Sequence, residues 1–288
     1  MANPSPLRYP GGKHKTYQYI KELIAVNKCT SYIEPFAGGS AVALELLINK
    51  QVKKIVINDY DRAIYAFWYS VLYHTNELIE LIRNTPVTME NWNLQKKIQS
   101  NKDTESLLHL GFSTFFLNRT NRSGIIKAGV IGGHAQAGNY KLDCRYPKKS
   151  LINKIQIIGE LRDSIEVYNM DAVDFIKNII KKTRNSFTFF DPPYYLKGPG
   201  LYTNFYTHND HECLANTIKQ DLRNRKWIVT YDFCPEIKNM YNKLAYQTFF
   251  LNYSAENKRK GLEYMFFSKC TIIPESQEQK LHICDVNF

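Results

Sequence analysis

YIEPFAGGSAVALELL, residues 32–47, reads as a strand, a glycine turn and a helix in direct succession. Gly38 and Gly39 lack a Cβ, so the chain can turn tightly there and a ligand can approach the backbone. Ser40 stands where a helix N-cap belongs. The pattern is neither G-x-G-x-x-G nor G-x-x-x-x-G-K-[ST], so it does not mark a phosphate site. A second unit, KIVINDYDRAIYAFW at 54–68, is a strand that ends in Asp59 and then a helix. Asp61 is the natural cap of that helix. Asp59 is thereby free to accept hydrogen bonds from ribose hydroxyls, as an acid about 20 residues after such a turn does in nucleotide-binding folds. Together the two units point to an α/β fold and a cofactor that contains a nucleoside.

The rest of the chain extends this pattern. Short β-rich runs at 31–34, 54–58, 186–190, 226–230, 247–252 and 263–268 read as strands. Amphipathic stretches at 41–50, 61–73, 171–182 and 211–224 separate several of them. Strands alternating with helices imply a largely parallel sheet covered on both faces. The 288 residues are 44% hydrophobic and 23% charged, which excludes a disordered chain, a collagen and a coiled coil. No apolar run approaches the roughly 18 residues that span a bilayer, and the start lacks a secretory pattern. The expectation is a cytoplasmic protein with no membrane partner. The six cysteines include no C-x-x-C pair, so no metal site is expected.

Charge is concentrated in one place. The net charge is +11, a balance typical of nucleic-acid binders. Residues 75–116 read as helical and break the alternation. Residues 117–154 read as a loop, with eight Lys/Arg against the single acid Asp143. Such a charge in an insertion suits a surface that follows a phosphate backbone.

The third motif is FTFFDPPYY at 187–195. Asp191, Pro192, Pro193 and Tyr194 follow a strand too apolar to be exposed. Two prolines cannot continue a sheet. They stiffen the backbone at the strand's carboxyl end, where α/β proteins bind ligands. A carboxylate, a rigid carbonyl and an aromatic face meet at that point.

With this third motif, the chain resembles the Dam-type DNA adenine-N6 methyltransferases, in which the recognition region lies between the cofactor motif and the DPPY motif. The resemblance rests on PLRYPGGK at 6–13, EPFAGGS at 34–40, IND at 57–59, FLNRTNRSGI at 116–125 and DPPYY at 191–195, in the family's order. WIVTYD at 227–232 and KRKGLEYMFFSK at 258–269 fit its C-terminal part. It implies a Rossmann-like class I methyltransferase domain in two segments, 1–74 and 155–288, with a mainly helical, basic recognition insertion at 75–154.

The resemblance also implies S-adenosyl-L-methionine as methyl donor. Tyr9, Lys13, Glu34, Phe36, Gly38, Gly39, Asp59, Asp171 and Asp191 would face the cofactor, with Asp174 a rival to Asp171. Asp191, Pro192, Pro193 and Tyr194 would be catalytic. Asp191 and the Pro192 carbonyl would accept from the 6-amino group of a flipped adenine, and Tyr194 would stack on the base. The implied partner is double-stranded DNA, met by Asn118, Arg119, Asn121 and Arg122 at bases or phosphates and by Lys148 and Lys149 at phosphates. The implied setting is a restriction–modification or phage system, with a cognate endonuclease acting separately and the enzyme a monomer or weak dimer. Two departures stand out. TNRSGIIKAGVIGGHAQAGNYK does not match the recognition loop of the GATC-methylating members, so no target site carries over. Tyr9-Pro10 replaces a Trp-Ala pair, which keeps the aromatic character. The rival readings are cytosine-N4 methylation, methylation of RNA or a protein amide, and a silent DNA-binding regulator.

Overall fold

The computed structural model describes residues 3–9, 13–196, 206–253, 259–274 and 282–287. Its strands form one eight-stranded sheet, in the order β3-β2-β1-β4-β5-β7-β6-β8. They are β1 (Ser31–Glu34), β2 (Lys54–Asn58), β3 (Ile165–Tyr168), β4 (Ser186–Phe190), β5 (Lys226–Asp232), β6 (Tyr246–Tyr253), β7 (Arg259–Phe267) and β8 (His282–Asn287). The first five in that order run parallel, and β7, β6 and β8 pair antiparallel. The strand order reverses between β1 and β4, which opens a crevice at their carboxyl ends. Such a five-strand parallel half with an antiparallel extension is the expected class I methyltransferase architecture.

Each strand sends alternate residues to opposite faces, and this divides the core in two. Tyr32, Ile55, Ile57, Phe187, Phe189, Ile228 and Met265 pack under one helical layer. It contains α1 (Tyr17–Asn27), α2 (Ala41–Ile48), α3 (Arg62–Tyr73), α4 (Thr75–Asn84), α5 (Met89–Ser100), α6 (Leu107–Thr120) and α7 (Lys148–Glu160). Ile33, Val56, Phe190, Val229, Tyr231 and Tyr264 pack under the other. That layer holds α8 (Ala172–Phe175), α9 (His208–Asp221) and α10 (Pro235–Met240).

Several elements differ from the sequence reading. The segment 117–154 is not one loop. Helix α6 runs on to Thr120 and α7 begins at Lys148, so the expected domain boundary at 154 falls inside a helix. The signal for α7 was Leu151, Ile155 and Ile158, all buried at helical spacing behind a lysine-rich first turn. Nor is the insertion a separate body. Gly111 of α6 lies against α3 so closely that a Cβ would come 2.5 Å from the Ala66 carbonyl oxygen. Strand β3 went unread because three of its four residues are half-exposed, which weakens the apolar pattern. The helix expected over 171–182 is α8 followed by a π turn at Ile176–Ile180. Asp61 caps α3 as expected, accepting from the Ala63 amide at 3.0 Å. Ser40 does not cap α2. Its φ is 42°, and its hydroxyl donates to the Ala37 carbonyl at 3.2 Å.

Candidate active site

The glycine turn is held on both sides of Gly38. The Gly38 amide donates to Asp59 Oδ2 at 2.9 Å. The Gly38 carbonyl accepts from buried Trp68 Nε1 at 2.9 Å. Gly38 has φ +44°, a left-handed value that favours glycine. The ring of Tyr9 lies on this turn and is 37% exposed. Asp59 also accepts from the Asp61 amide at 3.0 Å. Burial pushes its carboxyl up to about 7.

Asn58, which sequence reasoning passed over, bolts three strand ends together. Its amide donates to the carbonyls of Pro35 and Met170, each at 3.0 Å, and its oxygen accepts from the Met170 amide at 2.9 Å. Glu34 closes β1 and is buried. Burial pushes its carboxyl up to about 8, with the charge of Asp191 adding to the rise. Phe36 is half-buried and meets Tyr206 edge-on at 6.1 Å between centroids. Asp171 is exposed and caps α8, accepting from Val173 at 2.8 Å; Asp174 is an exposed residue of that helix. Burial raises the Tyr206 phenol above its usual value, and the charges of Asp171, Asp210 and Asp59 add to that rise. No sequence signal had marked it.

Asp191 follows β4 and sits between charges of both signs. Its Oδ1 accepts from Thr230 Oγ1 at 2.8 Å and lies 3.0 Å from Lys13 Nζ. Burial pushes its carboxyl up, Lys13 pulls it down and Glu263 pushes it up again. Lys13 is therefore next to Asp191, and it also donates to Glu263 Oε2 at 2.8 Å. Tyr194 is 3% exposed, and its hydroxyl donates to Glu263 Oε1 at 2.6 Å. This covered ring presents no open face for a base, in contrast to the stacking expected from sequence. The backbone beyond it is fixed by Asp232, whose two oxygens accept from the amides of Tyr195 and Leu196 at 2.8 Å each. Pro192 is buried and Pro193 half-buried. Thr230, Asp232 and Glu263 were missed as site residues because they lie on strands whose sequence shows only apolar alternation.

Asp59, Asp191 and the Gly38 turn thus line the carboxyl ends of three adjacent parallel strands. The family model for D12 class N6 adenine-specific DNA methyltransferases matches residues 9–260. The chain belongs to this family. Among relatives, it is 24% identical to the type II methyltransferase M.MjaIII of Methanocaldococcus jannaschii, over 65% of this chain and 68% of that one. It is 22% identical to the type II methyltransferase M.CviBI of Paramecium bursaria Chlorella virus NC1A, over 84% and 88%. The solved structure of yhhF from Escherichia coli aligns over 92% of this chain and 89% of its own, with a TM-score of 0.38 and 12% identity.

For this D12 methyltransferase, several residues expected at DNA have other work. Asn118 is 1% exposed. Its oxygen accepts from the Arg8 amide at 2.7 Å, and its nitrogen donates to the carbonyls of Arg8 and Gly124 at 2.7 and 2.8 Å. Asn121 is fully buried, accepts from Trp92 Nε1 at 2.7 Å and donates to the carbonyls of Ile125 and Ile126. Neither amide can reach a base from there. Lys148 donates to the carbonyls of Arg83 and Thr85 at 2.9 and 2.8 Å, which ties α7 to the end of α4. Arg119 is half-buried and donates to the Arg145 carbonyl at 2.7 Å; burial and the charges of Arg8 and Arg145 pull its guanidinium down to about 10. Arg122 and Lys149 are exposed.

Proposed function

We propose that the protein is a Dam-type enzyme that moves a methyl group from S-adenosylmethionine to the 6-amino nitrogen of an adenine turned out of double-stranded DNA. The observation that carries this reading is the setting of Asp191. One of its carboxylate oxygens is engaged by Thr230 and Lys13, and the residue follows β4, the strand next to β1, whose end leads into the Gly38 turn that Asp59 holds.

The residues present fit the cofactor. The bare Gly38–Gly39 backbone lets the Tyr9 ring lie directly on the turn, where a Cβ on Gly38 would come within 2.7 Å of it, so an aromatic face and exposed main chain meet at one place. Asp59 would accept from the ribose hydroxyls, Asp171 would face the adenine ring, and Phe36 would stand by the methionine part. Glu34, its carboxyl pushed up by burial, would stand by the methionine part too. When bound, the cofactor supplies an electrophilic methyl group on a sulfonium.

The chain's own task is to make a poor nucleophile attack. The lone pair of the adenine amino nitrogen is delocalised into its ring. Asp191 and the Pro192 carbonyl would accept its two N–H bonds, which localises density on nitrogen and aims it. The gain is chiefly proximity and orientation. Asp191 would take the amino proton once methyl transfer, in which the N–C bond forms as the S–C bond breaks, has made that nitrogen acidic. The base must first leave the helix, at a cost of a few kcal/mol. The insertion would supply phosphate contacts through Arg122, Lys149 and Arg119, and the type II relatives make a restriction–modification role the natural setting.

Single-molecule sequencing of DNA from cells expressing the protein tests this, with Asp191→Ala as control. The expected result is N6-methyladenine in one short motif, lost in the control. Methylation surviving in Asp191→Ala would overturn the mechanism. Modified cytosine, or none, would overturn the substrate.

A further inference from the structure

Resting on that reading, we propose that Glu263 is a positioning residue for the transfer: it holds the Lys13 ammonium against Oδ1 of Asp191, so that Oδ2 is the oxygen offered to the amino group.

Glu263 lies on β7, paired across the ladder with Asp232 of β5. It has 0% exposure. A carboxylate so placed is costly unless charge and hydrogen bonds compensate it. Both its oxygens are engaged within the site. Oε2 is 2.8 Å from Lys13 Nζ, and Oε1 accepts from the Tyr194 hydroxyl at 2.6 Å. Lys13 is itself 8% exposed, and its Nζ also reaches the Tyr194 hydroxyl at 3.1 Å and Asp191 Oδ1 at 3.0 Å. The ammonium has three donors, and these three acceptors surround it.

The consequence falls on Asp191. A carboxylate oxygen offers two lone pairs. Oδ1 meets two donors, Thr230 Oγ1 and Lys13 Nζ. Among the described residues, Oδ2 accepts from none. The Asp191 side chain is 29% exposed, so the carboxylate reaches the open crevice. Thr230 and Lys13 thus fix the rotation of the carboxylate, and Glu263 fixes Lys13. Glu263 also anchors the DPPY turn through Tyr194. Two carboxylates share one ammonium here, which leaves a net negative charge that complements a sulfonium.

The test is steady-state kinetics of labelled methyl transfer to DNA by wild type, Glu263→Gln and Glu263→Asp across pH. Glu263→Gln should lower kcat by about 10–100-fold, the scale of losing a group that orients a functional residue from behind it, with both KM values nearly unchanged. Removing a negative neighbour favours ionised Asp191, so the acid limb of its kcat profile should move to lower pH. Glu263→Asp keeps the charge and should leave the limb in place with an intermediate kcat. A purely structural role would move the melting temperature and not the limb. If Glu263→Gln fails to fold, Lys13→Gln carries the test, with the limb moving to higher pH. Wild-type kcat and limb in the variants, or a loss confined to the cofactor KM, would overturn the proposal. A wild type that methylates no adenine sinks the underlying reading and this role with it. An active wild type with an indifferent Glu263→Gln sinks this role alone.

Discussion

The ring of Tyr9 rests on Gly38, so close that a Cβ built on the glycine would come within 2.7 Å of it. The N-terminal motif and the first strand's turn therefore form one surface, although the chain reaches them through separate elements. Gly38→Ala meets both this ring and a φ of +44°. It should weaken cofactor binding by at least about tenfold, a cost of roughly 1.4 kcal/mol. Pairing it with Tyr9→Ala should relieve the clash but not the backbone strain, and calorimetric titration of S-adenosylmethionine should show partial recovery only.

Cofactor affinity should depend on pH through Asp59. Burial raises its carboxyl to about 7, and only the ionised form accepts from two hydroxyls without donating a proton of its own. Affinity should therefore rise as pH climbs through about 7 and level off above it. Asp59→Asn should bind more weakly and lose this dependence. A wild-type affinity that is flat from about pH 6 to 8 would count against the ribose assignment.

Asn118 makes three hydrogen bonds from a buried amide. Asn118→Ala leaves their main-chain partners unpaired and should cost about 2–4 kcal/mol of stability. The target motif read by sequencing should be unchanged. A shifted motif at wild-type stability would return this residue to the base-reading set.

Two neighbouring lysines should separate cleanly. Lys149 is exposed, so Lys149→Ala should weaken binding to all DNA alike and reduce the log–log salt slope by about 0.9. Lys148 spends its ammonium on the carbonyls of Arg83 and Thr85. Lys148→Ala should lower the melting temperature and leave the slope nearly unchanged. Filter binding from low to moderate salt distinguishes them.

The contrast between these residues explains what sequence could and could not reveal. The Gly38 turn, Asp59 and Asp191 were legible because each interrupts an apolar strand with chemistry that packing does not need. Glu263 and Thr230 were not, since a polar residue in an alternating strand ordinarily faces water, and only the fold shows these two facing inward. Asn118 and Asn121 misled in the opposite sense. A polar, arginine-flanked segment looks like a surface, yet these amides satisfy main-chain groups that the tight turn after α6 leaves exposed to the core. Lys148 was misread for a similar reason, because a helix end needs donors for its last carbonyls as much as a phosphate does.

The ion pair between Lys13 and Glu263 also bears on when the enzyme can first act. A ribosome releases the N-terminal lysine early and the glutamate only after nearly the whole sheet has been made. Until β7 adds to β5, Lys13 and Tyr194 lack the carboxylate of Glu263, and Asp191 is held by Thr230 without the Glu263-anchored ammonium. A nascent or prematurely terminated chain that stops before β7 would thus carry every motif up to DPPY without the Glu263 contacts that the proposed positioning requires.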